Sequence, residues 1–160
     1  MSSATLAKTG FARPDLGEFS SIVCFKAVVV GVENALGEKA AAIALISAGR
    51  DRGKQLVSDL NLEQKSVAEA FLLLKEALGI NGTRLCAIDK VVEEGESIKV
   101  YLRETICSAG EEQGSARVLT YTQGAIQGAL EQLTGKRLRG KQVESVLRGS
   151  THDVINFQVL

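Results

Sequence analysis

The hydrophobic period of this chain changes at Leu85, and that change limits the fold more than any single motif. Up to Leu78 the apolar residues recur with helical spacing. From Leu85 they alternate, as along a half-buried strand. The helical stretches cover 18–36, 38–60 and 63–78, ended by Gly37, Asn61 and Gly79. Strands are predicted over 85–92 and 97–107, joined through Glu93-Glu94-Gly95-Glu96 as a hairpin. A polar loop (110–114) leads to a fourth helix over 116–133. Two strands, 138–148 and 153–160, close the chain around a Gly149-Ser150-Thr151 turn. Helices followed by a short antiparallel sheet, with one further helix between two strand pairs, define an α+β fold. No βαβ alternation occurs, which speaks against a Rossmann or TIM architecture.

Length and composition narrow the class. A chain of 160 residues holds one core, not two ordinary ones. Aromatic residues make up only 4% and Trp is absent, so the core must be aliphatic. The 19 basic and 19 acidic residues cancel, so no charge excess points to nucleic acid. Three cysteines (Cys24, Cys86, Cys107) at wide spacing and one histidine form neither a disulfide framework nor a zinc motif. Reduced thiols and a cytoplasmic setting are expected, with no metal and no cofactor. Residues 1–15 read as a flexible leader before a single domain over 16–160. The apolar run Ala27–Val32 is far shorter than the ~20 residues needed for a transmembrane segment.

The first helix is apolar on more than one face, through Phe19, Ile22, Val23, Phe25, Val28, Val29, Val30, Val32 and Leu36. Burial on several sides is expected, and a second subunit is the natural cover. The second helix is wholly apolar from Ala40 to Ile46. A homodimer through the first two helices follows as an expectation. Gly49 and Gly53 each cost about 1 kcal/mol in a helix interior relative to Ala, tolerable where another backbone packs close. Gly49-Arg50-Asp51-Arg52-Gly53 lacks the spacing of a phosphate loop and reads as a solvated helix end.

The last third carries an ordered set of motifs. Glu104-x-x-Cys107 comes first, then Tyr121-Thr-Gln-Gly-Ala-Ile-Gln-Gly-Ala-Leu130, then Glu144-x-x-Leu147, then Asn156-Phe-Gln-Val-Leu160. In the first half, Leu36-Gly-Glu38 opens the second helix, and Ala48-Gly49-Arg50, Gly53 and Leu56 follow. In this order they resemble the 4-vinyl reductase domain family and the related core subunits of TRAPP-type vesicle-tethering complexes. The resemblance covers roughly 19–160. It implies that fold and an apolar ligand such as an acyl chain, a hydrocarbon or a tetrapyrrole. Family members typically carry cysteines where this chain has Tyr121, Leu147 and, nearby, Asn156; only Cys107 remains. A cysteine-cluster metal or redox role is therefore not expected.

Glu104, Cys107, Tyr121, Gly124, Gly128 and Glu144 are the ligand-pocket candidates. Alternation puts Glu104 on the face of Ile98, Val100, Leu102 and Ile106, where a carboxylate needs partners or a proton. Glu104 and Glu144 read either as the polar anchors of a cavity between the sheet and the fourth helix or as structural carboxylates. Cys107 reads as a ligand or acylation position, or, more simply, as a small core hydrophobe. Gly124 and Gly128 make room for a flat ligand or for close packing on the sheet. His152 reads as a solvated turn residue. The expected function is a dimeric, non-enzymatic small-molecule-binding or scaffold protein, with no catalytic or metal residues. The alternatives are a ligand-free protein–protein interaction module and an accessory factor in tetrapyrrole pigment synthesis.

Overall fold

Three helices, a hairpin, a fourth helix and two further strands follow one another as the periodicity requires. The computed structural model describes residues 13, 15–17 and 19–160, so most of the expected leader lies outside the described residues. Helix α1 (Ile22–Leu36) starts at Ser21, whose hydroxyl accepts the Val23 N–H at 3.2 Å. That start is later than expected from Glu18. Gly37 separates α1 from α2 (Glu38–Asp59). Helix α3 (Val67–Leu78) begins at a reciprocal capping box between Ser66 and Glu69, not at Glu63. The hairpin of β1 (Ala87–Glu94) and β2 (Ser97–Arg103) turns at Gly95, where φ is 59°. Helix α4 (Thr120–Thr134) ends on left-handed Gly135. β3 (Leu138–Glu144) is shorter than expected, because Val146–Arg148 coil into a 3-10 turn before β4 (Asp153–Val159). The sheet is antiparallel with strand order β1-β2-β4-β3, so the two predicted strand pairs merge through β2 and β4.

The registers put Ile98, Val100 and Leu102 on the same face as Phe157 and Ile155, and all five are buried. α4 covers this face and is itself buried almost throughout its length. α2 covers the other side of α4. The contact between these helices is built from four glycines. A Cβ on Gly49 or Gly53 would collide with the carbonyl oxygen of Tyr121 or Ala125. One on Gly124 or Gly128 would collide with that of Ile46 or Arg50. So Gly49-x-x-x-Gly53 and Gly124-x-x-x-Gly128 interlock backbone to backbone. This corrects two expectations: the Gly49–Gly53 stretch is helix interior rather than a solvated end, and the α4 glycines face α2 rather than the sheet.

α4 also seals the free edge of β3. Gln123 Nε2 donates to Gly140 O at 3.2 Å and Gln127 Nε2 to Leu138 O at 2.8 Å. Glu131 Oε1 accepts the Leu138 N–H at 3.0 Å. These residues, four apart on one helical face, occupy edge groups that would otherwise invite another strand. Glu131 also takes Arg50 Nε at 2.6 Å. Burial pushes its pKa up, but the Leu138 amide, Arg50 and Gln127 outweigh this and hold the carboxyl below its usual value.

α1 is attached along a single line. Val29 is its one buried residue. Lys26 donates to Cys107 O at 2.8 Å and to Glu111 at 2.5 Å, and Arg117 grips Glu33 at 2.7 and 3.1 Å. The expected burial of α1 on several sides is not met within one chain. Both charges of α1 face inward, into ion pairs. Its outer face carries Val23, Ala27, Val28, Val30, Gly31 and Ala35, all exposed.

Candidate functional site

The six predicted pocket residues separate into four places. Cys107 and Tyr121 lie together beside α1. Cys107 is buried with its Sγ 3.3 Å from Thr122 Oγ1, while Tyr121 meets Phe25 edge-on at 5.5 Å. Burial raises the Tyr121 pKa, so the phenol stays neutral. Gly124 and Gly128 belong to the α2–α4 contact. The expected cavity between α4 and the sheet is filled by Ile126, Leu130, Val100 and Phe157, each fully buried.

Glu104 and Glu144 are not brought together. β2 stops at Arg103, and Glu104 follows in left-handed backbone with φ 49°. It is exposed and off the alternation that would have buried it. Glu144 pairs in register with Val154 on the outer sheet face and is exposed as well. A strand-wide alternation was the only signal for their facing, and the break after Arg103 removes it.

Glu104 instead lines an open cleft of about 350 Å³ between the C-terminal end of α3 and the start of β1. Cys86, Ala87 and Ile88 give it an apolar floor, and Ile80, Lys75 and Arg84, all exposed, stand at its rim. Burial, then the nearby Cys107, pushes the Cys86 thiol up to about 12, so the floor carries no charge at neutral pH. Arg84, like Glu104, is left-handed, with φ 56°. The backbone stays anchored beside them, since Ile106 N–H donates to Leu85 O at 2.9 Å. Non-glycine residues in this conformation cluster at sites where geometry is imposed. The sequence flagged Glu104 for another reason and missed Lys75, Arg84 and Cys86, because nothing local marks the meeting of a helix end with a strand start.

A buried carboxylate was also missed. Asp153 is fully buried and accepts Thr105 Oγ1 at 3.2 Å, Ser108 Oγ at 2.9 Å, Gln142 Nε2 at 3.2 Å and the Val146 N–H at 3.1 Å. It ties the segment after β2 to β3, β4 and the 3-10 turn. His152 is not a free turn residue: its Nε2 lies 2.8 Å from Asp89 and its Nδ1 2.9 Å from Thr151 Oγ1. Hydrogen bonds from Arg103 first, with His152 adding to them, hold the Asp89 pKa at about 2. This chain of groups sits on an exposed rim where Asp89 already carries Arg103, so it pins a turn.

No family model matches the sequence, and no curated protein does. Solved structures do match. The phenol-responsive sensory domain of the transcription activator PoxR, determined with phenol, aligns with a TM-score of 0.66 at 16% identity, over 89% of this chain and 76% of that one. A trafficking protein particle complex subunit 3 from Naegleria fowleri, covalently bound to palmitic acid, gives 0.57 at 15%, over 87% and 92%. A vinyl-4-reductase family protein from Methanocaldococcus jannaschii gives 0.52 at 15%, over 91% and 85%. The fold is theirs. The α+β architecture expected from the motifs is thus the one these proteins adopt, and at this identity the likeness is one of fold. Among the described residues, no helix is long and apolar enough to cross a membrane.

Proposed function

We propose that the chain is a non-enzymatic, dimeric binding domain that holds a small apolar molecule in the α3–β1 cleft. The cleft carries this reading. It combines an apolar floor with a few charged groups at the rim, the usual makeup of a ligand site, and lies at the low end of the ~300–1,000 Å³ such sites span. That size favours a compact molecule or the end of an acyl chain over a tetrapyrrole. The neighbours support binding in general: one was solved with phenol and another with palmitic acid. Cys107 and Tyr121, in this reading, shape the core behind the cleft and do not touch the ligand. The two buried free thiols suit a reducing, cytoplasmic setting.

Pairing rests on α1. A helix with both charges turned inward and three of its five valines exposed is inverted for a lone soluble domain. Val23 is 70% exposed, Val28 62% and, on α2, Ile43 73%. Ala40, Ala44 and Ala48 continue the exposed strip along α2. A second copy is the occupant that covers this face in both subunits at once. Native mass spectrometry of gently purified protein tests both parts. A dimer carrying one small molecule per chain is the expected result, and a ligand-free monomer at micromolar concentration refutes the reading.

A further inference from the structure

We infer that the ligand of the α3–β1 cleft is a small zwitterion with an apolar body, the chemistry of an aromatic or branched α-amino acid. This deepens the binding reading above and rests on it. Lys75 and Glu76 reach the cleft from α3, Arg84 from the α3–β1 connection and Glu104 from the end of β2. Two of these side chains already have neutral partners in the fold. Glu76 accepts Asn81 Nδ2 at 2.9 Å. Arg84 donates Nε to Ile80 O at 3.3 Å and lays its guanidinium over the Phe19 ring, 4.8 Å from the centroid. Lys75 and Glu104 have neither a hydrogen bond nor an ion pair among the described residues.

These two remaining groups have opposite sign and stand on different walls, one on the helix and one beyond the strand pair. A ligand with only a carboxylate satisfies Lys75 and leaves Glu104 facing a second negative charge. A ligand with only an amine does the reverse. A zwitterionic head satisfies both, its carboxylate toward Lys75 and its ammonium toward Glu104, through charge-assisted hydrogen bonds. The apolar body then lies on Ile80, Cys86, Ala87 and Ile88. The left-handed backbone at Glu104 breaks the strand alternation and brings that residue to the cleft wall.

Four probes of similar size separate the possibilities: L-phenylalanine, 3-phenylpropanoate, 2-phenylethylamine and neutral phenol. Calorimetric titration of the whole chain is expected to show phenylalanine binding about tenfold tighter than either singly charged analogue. Glu104→Gln is expected to abolish the preference over 3-phenylpropanoate, and Lys75→Met the preference over 2-phenylethylamine. Both side chains are exposed, and unchanged thermal melts confirm that the variants fold. Equal or tighter binding of a singly charged analogue overturns the zwitterion assignment, as does discrimination that survives both substitutions. Binding of phenol without phenylalanine also overturns it while leaving the apolar-ligand reading intact. If none of the four binds at millimolar concentration, the zwitterion assignment falls, and native mass spectrometry decides the apolar-ligand reading separately.

Discussion

The α2–α4 contact and the outer face of α1 use the same residue for opposite circumstances. Gly49, Gly53, Gly124 and Gly128 each have a neighbouring backbone where a Cβ would go. Gly31, in the middle of α1, has nothing within 4 Å of that position and ordinary helical backbone. Every other described glycine has either a positive φ or an atom in the way. A helix-interior glycine costs up to about 1 kcal/mol relative to Ala, so in an isolated chain Gly31 is a cost without a return. The four glycines of the inner contact show what this sequence uses such a residue for: letting a second helix come close. Gly31 lies between Ala27 and Ala35 on a face without charge, in the same i, i+4 spacing. The first contact is complete within the chain, and the second is the one that the proposed dimer would complete.

The largest effect that separates the two regions is at the inner contact. Gly128→Leu should destabilise by about 3 kcal/mol, because the obstacle is the Arg50 backbone and no side chain can move aside. Urea unfolding measures it. A variant with native stability would show that α2 and α4 separate easily. Next comes Asp153→Ala, expected to cost about 2–3 kcal/mol by orphaning buried donors on Thr105, Ser108 and Val146. Loss of that size at a position remote from α2 would show that the sheet side is as closely specified as the glycine contact. A loss under half a kcal/mol would mean that water replaces the carboxylate.

The α+β class, the order of the elements and the condition that Gly49 and Gly53 need a backbone packed close were legible in the sequence, because periodicity and glycine cost are local. What touched those glycines was not legible. The partner segment lies some 75 residues away in the chain by direct count, from Gly49 to Gly124. The inward turn of α1 was hidden for a related reason. Lys26 and Glu33 look like surface charges until Glu111 and Arg117, from a distant loop, supply their counter-ions. Asp153 was unreadable because its four donors come from three separate segments: the stretch after β2, β3 and the 3-10 turn. Glu104 was misplaced because alternation has no mark for the residue at which a strand stops.

At the outer face, Val28→Asp should convert the proposed dimer to monomer without unfolding it, since Val28 is 62% exposed in its own chain. Monomer stability should move by no more than about 0.5 kcal/mol. Size-exclusion chromatography with light scattering reads the first, and thermal unfolding the second. Gly31→Ala sharpens the point. It should stabilise the monomer by up to about 1 kcal/mol and weaken pairing, opposite signs from one methyl group. If it strengthens both, Gly31 is not a helix-crossing position.

A smaller gain is expected at the cleft. Glu104→Gly relieves left-handed backbone, worth about 1 kcal/mol or less after the entropy of the added glycine is offset. Chemical denaturation should show this gain while ligand affinity falls. Like Gly31, Glu104 would then be a residue whose local cost has a return only in a complex. A loss of stability would mean that Glu104 supports the fold directly.

The smallest effect distinguishes how the two regions are fastened. The inner contact is backbone against backbone, with Glu131 and Arg50 at its margin; α1 is held by Lys26, Glu33, Glu111 and Arg117. The Glu111 pKa is lowered, first by the Lys26 hydrogen bond and then by the charge of Arg117. A carboxylate depressed in the folded state contributes stability above its unfolded value, about 4.3, and loses it as pH falls through the folded one. Acid alone would not separate the regions, because the Glu131 pKa is lowered as well. Salt does. Glu111 and Lys26 are each about one-fifth exposed; Glu131 is 5% exposed and its partner Arg50 32%, but Glu131 also holds the Leu138 amide, and the glycine contact beside it carries no charge for salt to screen. At pH 7 and high salt, screening should weaken the α1 bridges by under about 1 kcal/mol and leave the backbone-to-backbone contact of α2 and α4 nearly untouched. Hydrogen exchange under these conditions should therefore speed up along α1 and stay constant along α4. Equal acceleration in both would mean that α1 and the glycine contact open as one unit, and that the inner and outer regions are less independent than their chemistry implies.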